Sequence, residues 1–485
     1  MDSIKNLPDE ILGKILSLLP TKVAASTSIL SKRWKNLLGL VDNLCFDESM
    51  VVYTNEEAEN GSLRFVDFVN KTFALLGNSP IKKFSLRHEP RLYCVDAYLR
   101  WIFTAMEQER GLLELHLYAD RYYYPVGIER ELFTSNTLVK LTLSGRYDFQ
   151  VETVFLPALK SLSLSSSFEI GFDKYCNLLV GCPALEELYI REAVSELSNA
   201  LLSSGTFVKC ASIKRLVVFT DCPKFKEDED HQEPCFIAPS LVYLDYSSYV
   251  SENYDLIDLN SLVEARLNLR LLESFNYLCS SDNDGDVYRW DFNVPFDYYG
   301  DVTNLVAGIT NITTLHLSPD SLEVFHFRCK SIPVFNNLLN LSIESNKRNG
   351  WQVMPLLIRS CPNLHTLVIK GLVHRVTSKC GDACACIPKK QRKIGKKEEA
   401  LCCLLTCQVK VLEVSEYGRS FQELEQMRHF LGKLERLETV KVGVHAENNN
   451  KMSSCELIYC LFPEFQQSAT TSNSSDLFLP CLFSL

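Results

Sequence analysis

The chain has little that would carry it into a membrane or out of the cell. No apolar run reaches the ~18 residues that a spanning helix needs. The N-terminus lacks the basic start, unbroken apolar core and small-residue cleavage site of a secretory signal. Secretion and membrane insertion are therefore not expected. Positive charge is also in deficit: 50 Lys and Arg stand against 60 Asp and Glu, a formal net charge of -10. Such a balance disfavours nucleic acid or an anionic membrane as the general partner and points to protein. The usual patterns of enzymatic sites are missing too, with no G-x-S-x-G elbow, no phosphate-cradling glycine loop and no H-E-x-x-H pair. No catalytic chemistry is expected of this chain.

What is present is enough for a large folded core, since 46% of the 485 residues are hydrophobic and 11% aromatic. Nineteen cysteines are scattered along the chain, a pattern expected of reduced, largely buried thiols. The sequons at Asn70, Asn311, Asn340 and Asn473 carry no sugar without secretory entry.

The stretch "NLPDEILGKILSLLPTKVAASTSILSKRWKNLL" from Asn6 places Ile11, Leu12, Ile15, Leu16, Leu18 and Leu19 at helical spacing. Pro8 suits a first helical position, Asp9 and Glu10 oppose the positive end of the dipole, and Pro20 ends the helix. A second stripe, Leu30, Trp34, Leu37, Leu38 and Val41, follows Ser28 as an N-cap. Some forty residues rarely build a self-sufficient core, so this apolar surface is expected to continue onto something else.

From about residue 81 the pattern L-x-x-L-x-L returns again and again. Copies read "LLELHL" at 112, "LVKLTL" at 138, "LKSLSL" at 159, "LEELYI" at 185, "IKRLVV" at 213 and "LVYLDY" at 241. Later ones begin at 262, 312, 338, 364, 409 and 437, and most neighbours lie 21 to 28 residues apart. That is the period of leucine-rich repeats, one strand per unit, and it predicts an α/β solenoid. The larger gaps, 262 to 312 and 364 to 409, imply insertions or degenerate units. Cys182 and Cys361, each in a Cys-Pro pair before a strand, are read as structural. "SSDNDGD" from Ser280 and the acidic "KEDEDHQE" from Lys226 are read as loops.

Leu7-Pro8-Asp9-Glu10-Ile11-Leu12, then Ile15-Leu16, Leu18-Leu19-Pro20 and finally Leu30-Ser31-Lys32-Arg33-Trp34 resemble an F-box. The segment "CLLTCQVKVLEVSEYGRSFQELEQMRHFLGKLERLETVKVGV" from Cys403 resembles the FBD domain. With the repeats between them, the chain is similar to plant F-box/FBD/leucine-rich-repeat proteins over roughly residues 1 to 445. The organisation implied is an F-box at 1–45, repeats at 81–372, a Cys-rich and basic insertion at 373–400, an FBD domain at 401–445 and an irregular tail at 446–485. The resemblance implies docking to a Skp-family adaptor, and through it to a cullin-RING ubiquitin ligase, in the nucleus or cytoplasm. Leu7, Pro8, Ile11, Leu12, Ile15, Leu16, Leu30 and Trp34 are the adaptor-binding residues that this reading expects.

In the insertion, His374, Cys380, Cys384 and Cys386 offer zinc-ligand chemistry, but the paired C-x2-C spacing of zinc ribbons is missing. The spacing thus predicts a flexible, reduced insertion and no metal or other cofactor. Six of the nine residues from Lys389 to Lys397 are Lys or Arg, an import signal or a solvated loop. Alternation along each strand puts the residues between the leucines on the sheet surface, His116 and His316 among them. Tyr118, Tyr189, Arg191, Arg215, Phe219 and Tyr243 are the expected substrate-binding residues there, because aromatics and arginine dominate interface hot spots. The expectation is thus a substrate receptor of a ubiquitin ligase; a non-ligase adaptor and a hormone-dependent receptor stand as alternatives.

Overall fold

The computed structural model describes residues 6–48, 58–87, 95–107, 110–119, 126–128, 130–145, 147–149, 153–165, 172–192, 207–220, 233–255, 257–271, 300–377, 380–386 and 402–444. The chain forms two compact units, residues 1–232 and 233–485.

The first unit opens with three short helices, α1 (Asp9–Leu16), α2 (Thr21–Ser26) and α3 (Lys32–Leu37). Helix α1 starts directly after Pro8, which is its N-cap rather than its first helical residue. Ser31, not Ser28, caps α3, its hydroxyl accepting the Trp34 N–H at 3.4 Å. A parallel sheet follows, its strands Asn43–Asp47, Lys83–Arg87, Glu114–Ala119, Lys140–Gly145, Ser161–Ser165, Glu187–Glu192 and Arg215–Thr220 adjacent in chain order. The sheet thus begins just behind the helices, earlier than the repeat pattern in the sequence.

The repeat dictates this register. Leu115, Leu141, Leu162, Leu188 and Leu216 are Cα partners along the sheet, as are Leu117, Leu143, Leu164, Ile190 and Val218. All are buried, and each fully buried side chain contributes about 1.5–3 kcal/mol. At every strand entry one carbonyl serves two N–H groups of the next repeat: Leu113 accepts from Val139 and Lys140 at 2.8 and 3.0 Å, and Lys160 from Glu186 and Glu187 at 2.9 Å each. One strand per turn of the coil follows from leucines that must all point the same way.

The second unit repeats the plan with parallel strands Tyr243–Tyr249, Glu264–Arg270, Thr314–Leu317, Asn340–Glu344, Thr366–Lys370, Val411–Tyr417 and Thr439–Val444. The pairs 264–270 with 314–317 and 366–370 with 411–417 are direct neighbours. Both long gaps in the sequence pattern are therefore insertions within a single repeat. "SSDNDGD", the tail from residue 445 and all but the last residue of the acidic run lie outside the described residues.

Cys182 and Cys361 are fully buried, each carbonyl accepting the N–H of the leucine that leads the next strand, Leu185 and Leu364. Burial pushes both thiols up to about 12, as a packing role requires. No helix among the described residues is long and apolar enough to cross a membrane.

Candidate functional site

The N-terminal helices divide the apolar residues that the sequence reading placed on one face. Leu12 and Leu16 turn inward and are 1% exposed, where they form the unit's own core. Of the expected docking residues these two lie beneath the unit's own packing, while the others keep surface. Ile11 and Ile15 remain 42% exposed each on one outward stripe of α1, and Leu18, 81% exposed in the turn just after the helix, follows at a spacing of three. Pro8 is exposed, Leu7 and Trp34 are half-buried, and Leu30 is 65% exposed. Ile29, the most exposed large apolar side chain of this segment, was not singled out by spacing, since it lies in a short 3-10 turn (Thr27–Ile29) rather than on a helical face.

The motif's polar residues hold the helices together and to the sheet. Arg33 pairs with Asp9 at 2.7 Å and also donates to the Leu7 carbonyl, tying the start of α1 to α3. Ser17 Oγ accepts from the Asp42 N–H at 3.1 Å, and the buried Thr21 Oγ1 from the Cys45 N–H at 2.7 Å. Gly13 sits where a Cβ would be 2.8 Å from Leu40 Cβ, so only glycine lets α1 approach this closely. The apolar stripe is thus presented on a braced support.

On the outward sheet face of the first unit, register creates rows. Asp47, Arg87, Tyr118, Ser144, Ser165, Arg191 and Phe219 form one row. Arg87 lies over the Tyr118 ring at 4.5 Å, and Arg191 over Phe219 at 5.4 Å. Tyr189 is half-buried in the adjacent row, opposite Val217, while Arg215 is exposed at the strand entry. Tyr118 is three strands from Arg191, roughly 14 Å at ordinary strand spacing, so it joins a separate group. His116 is 8% exposed, bonded to Thr142 Oγ1 at 2.9 Å. The expectation that it is an exposed surface position is corrected: its ring is buried between Thr142 and Glu114, to which its two nitrogens bond, and burial lowers its pKa.

In the second unit Tyr243 is half-buried and donates to Asp245 at 3.4 Å. Beside it is a cleft of about 320 Å³, lined by Asp245, Arg266, Asn268, His316, Ser342 and Glu344 among others. Glu264 neutralises its rim, accepting from Arg266 at 3.0 Å and lying 3.3 Å from His316. Of these lining residues, His316 is one that alternation along the strand places on the sheet surface; the cleft itself needs the sheet.

Residues 4–46 match the F-box domain. The chain is 68% identical over 467 residues to the F-box/LRR-repeat protein At1g48400 of Arabidopsis thaliana, covering 93% of each. It is 43% identical over 480 residues to the F-box/LRR-repeat protein At5g35995 of the same plant, covering 94% of this chain and 96% of the relative. The chain belongs to the plant F-box/LRR-repeat family. A further Arabidopsis relative, the F-box protein At4g27050, is 50% identical over 464 residues.

In this F-box/LRR-repeat protein the FBD-like segment extends the sheet of the second unit as strand, helix and strand: Val411–Tyr417, Phe421–Lys433 and Thr439–Val444. A capping box of Ser420 and Glu423 starts the helix. The FBD domain itself stays a resemblance of sequence.

In the segment expected to be a flexible, reduced insertion, residues 382–385 are bonded to Gln426 and His429 of the following helix. His374, Cys380 and Cys384 are buried and Cys386 half-buried, and their four potential ligand atoms lie within 4.8 Å of one another. The thirteen cysteines among the described residues form no disulfide. The basic run, Lys389 to Lys397, lies outside the described residues.

Proposed function

We propose that this F-box/LRR-repeat protein is the substrate-recognition subunit of a Skp-cullin-F-box type E3 ubiquitin ligase and supplies no catalytic residue of its own. The observation that carries the reading is the exposed apolar set of Ile11, Ile15 and Leu18, with Pro8 and Leu30 also exposed, on a helical segment bonded to the repeat sheet through Ser17 and Thr21. An adaptor of the Skp family covers the stripe, and the sheet face with Tyr189, Arg191, Arg215 and Phe219 takes the protein target; Tyr118 and Tyr243 contribute separate patches. Holding that target near a charged conjugating enzyme raises its effective concentration, which needs two binding surfaces and a stiff support rather than an active site. The unpaired cysteines fit work in the nucleus or cytoplasm.

Affinity purification with the proteasome blocked tests this. The full chain should recover a Skp-family adaptor, a cullin and targets; an Ile11→Asp, Ile15→Asp, Leu18→Asp variant should lose the adaptor and cullin but keep the targets. Undiminished adaptor in the variant refutes the docking surface, and adaptor without cullin in the wild type supports a non-ligase adaptor instead. The cleft at Asp245, Arg266 and His316 favours a second reading, in which a small polar molecule conditions target binding. Its volume, about 320 Å³, lies at the lower end of ligand sites, and target recovery that depends on an added extract of small molecules would support it.

A further inference from the structure

We propose that His374, Cys380, Cys384 and Cys386 bind one structural zinc ion, which locks the insertion in the form that helix Phe421–Lys433 holds. The ligand atoms converge: His374 Nε2 lies 2.9 Å from Cys384 Sγ, Cys384 Sγ lies 2.7 Å from Cys386 Sγ, and no pair of the four exceeds 4.8 Å. Zinc held at about 2.3 Å by each thiolate and 2.0–2.1 Å by imidazole sets ligand atoms about 3.5–3.8 Å apart at tetrahedral angles, within the range found here. Three sulfurs and one imidazole complete the closed set of a structural site, with no position left for water or substrate.

The surroundings orient these groups as metal ligands. The Leu372 carbonyl lies 3.3 Å from His374 Nδ1 and can only accept, so Nδ1 carries the proton and the Nε2 lone pair faces the sulfurs. Trp351 stacks on the ring at 4.2 Å and 12°, fixing its plane. The Cys386 N–H donates to Cys384 Sγ at 3.2 Å, a bond that stabilises a thiolate there. Helix Phe421–Lys433 holds the loop from behind: Gln426 accepts from the Ala385 N–H at 2.9 Å and donates to the Ala383 carbonyl at 3.1 Å, while His429 donates to the Asp382 carbonyl at 2.8 Å. Gly381, at φ +66°, turns the chain between the first two cysteines where a Cβ would meet Pro355 at 2.5 Å.

Other uses of these residues fit less well. The Cys384–Cys386 separation exceeds the roughly 2.05 Å of a disulfide. A Cys-His nucleophile needs a substrate path, yet His374 and Cys384 are 3% and 0% exposed. Two buried thiols, a half-buried one and an imidazole gathered in one place have no packing advantage over leucine, whereas zinc binding would stabilise the whole segment.

Metal analysis of the full chain, purified without chelator from zinc-supplemented cells, should give about one equivalent of zinc, as a closed four-ligand site requires. Cys384→Ser and Cys380→Ser should reduce this at least tenfold. Cys361→Ser, a buried cysteine outside the cluster, should keep the zinc, and so should His374→Cys, which substitutes one good ligand for another. Exchange of the wild type into cobalt should produce thiolate charge-transfer absorption and the strong visible bands of tetrahedral cobalt, a readout that stands even if the serine variants fail to fold. Folded wild-type protein without zinc and without a cobalt spectrum overturns the proposal, as does equal zinc in Cys384→Ser.

Discussion

Replacing Ile11, Ile15 and Leu18 by aspartate isolates the docking stripe from the fold beneath it. Their exposures, 42%, 42% and 81%, leave about one and two-thirds side chains' worth of apolar surface for a partner to cover. At about 1.5–3 kcal/mol per fully buried side chain, that is roughly 2.5–5 kcal/mol of association free energy. With 1.4 kcal/mol per tenfold change, the adaptor's Kd should rise roughly 50- to 4,000-fold. Because the three side chains are already partly in water, the thermal midpoint should stay within a few degrees of the wild type. Titration calorimetry of purified chain against a purified Skp-family adaptor reads the affinity, and a melting curve on the same sample reads the fold. Leu12→Ala is the contrasting perturbation: it empties a site that is 1% exposed and should cost about 2–5 kcal/mol of stability. A triple variant that melts normally and still binds within threefold of the wild type would refute the assignment of this surface.

Tyr189→Ala with Phe219→Ala should leave adaptor affinity and melting unchanged while most targets vanish from proteasome-blocked purifications; full recovery of the same targets moves recognition away from this face. Gly13→Ala should lower the melting temperature by pushing α1 against Leu40, a cost of about 1–3 kcal/mol, and a neutral result would show that the helix can shift freely. Burial lowers the pKa of both His116 and His316. The unfolded chain therefore takes up protons below its ordinary value of about 6.5 while the folded chain resists, and stability falls as pH drops through that region. Melting followed from about pH 7.5 to about pH 5.5 should show this loss, and a His116→Asn, His316→Asn variant should reduce its slope.

The sequence by itself determined which residues form the repeat core and where the strands lie, because L-x-x-L-x-L encodes both period and facing: Leu115 and Leu117 are buried for the reason that their spacing predicts. It also determined the F-box, whose motif residues Asp9 and Arg33 proved to be partners of each other. Tertiary structure alone decided which of the helical leucines serve the chain and which face out. Leu12 and Ile11 are equally apolar neighbours on one helix, and only packing against the following segment separates 1% from 42% exposure. It likewise decided that the gap after residue 262 is one long insertion, since strand pairing is a contact between distant residues. The Cys-rich segment shows the limit most plainly. Spacing counts residues along the chain, but His374, Cys380, Cys384 and Cys386 are gathered by Trp351 upstream and by Gln426 and His429 on a helix far downstream. Convergence of that kind is a property of the folded chain, because the groups that impose it are neighbours only in space.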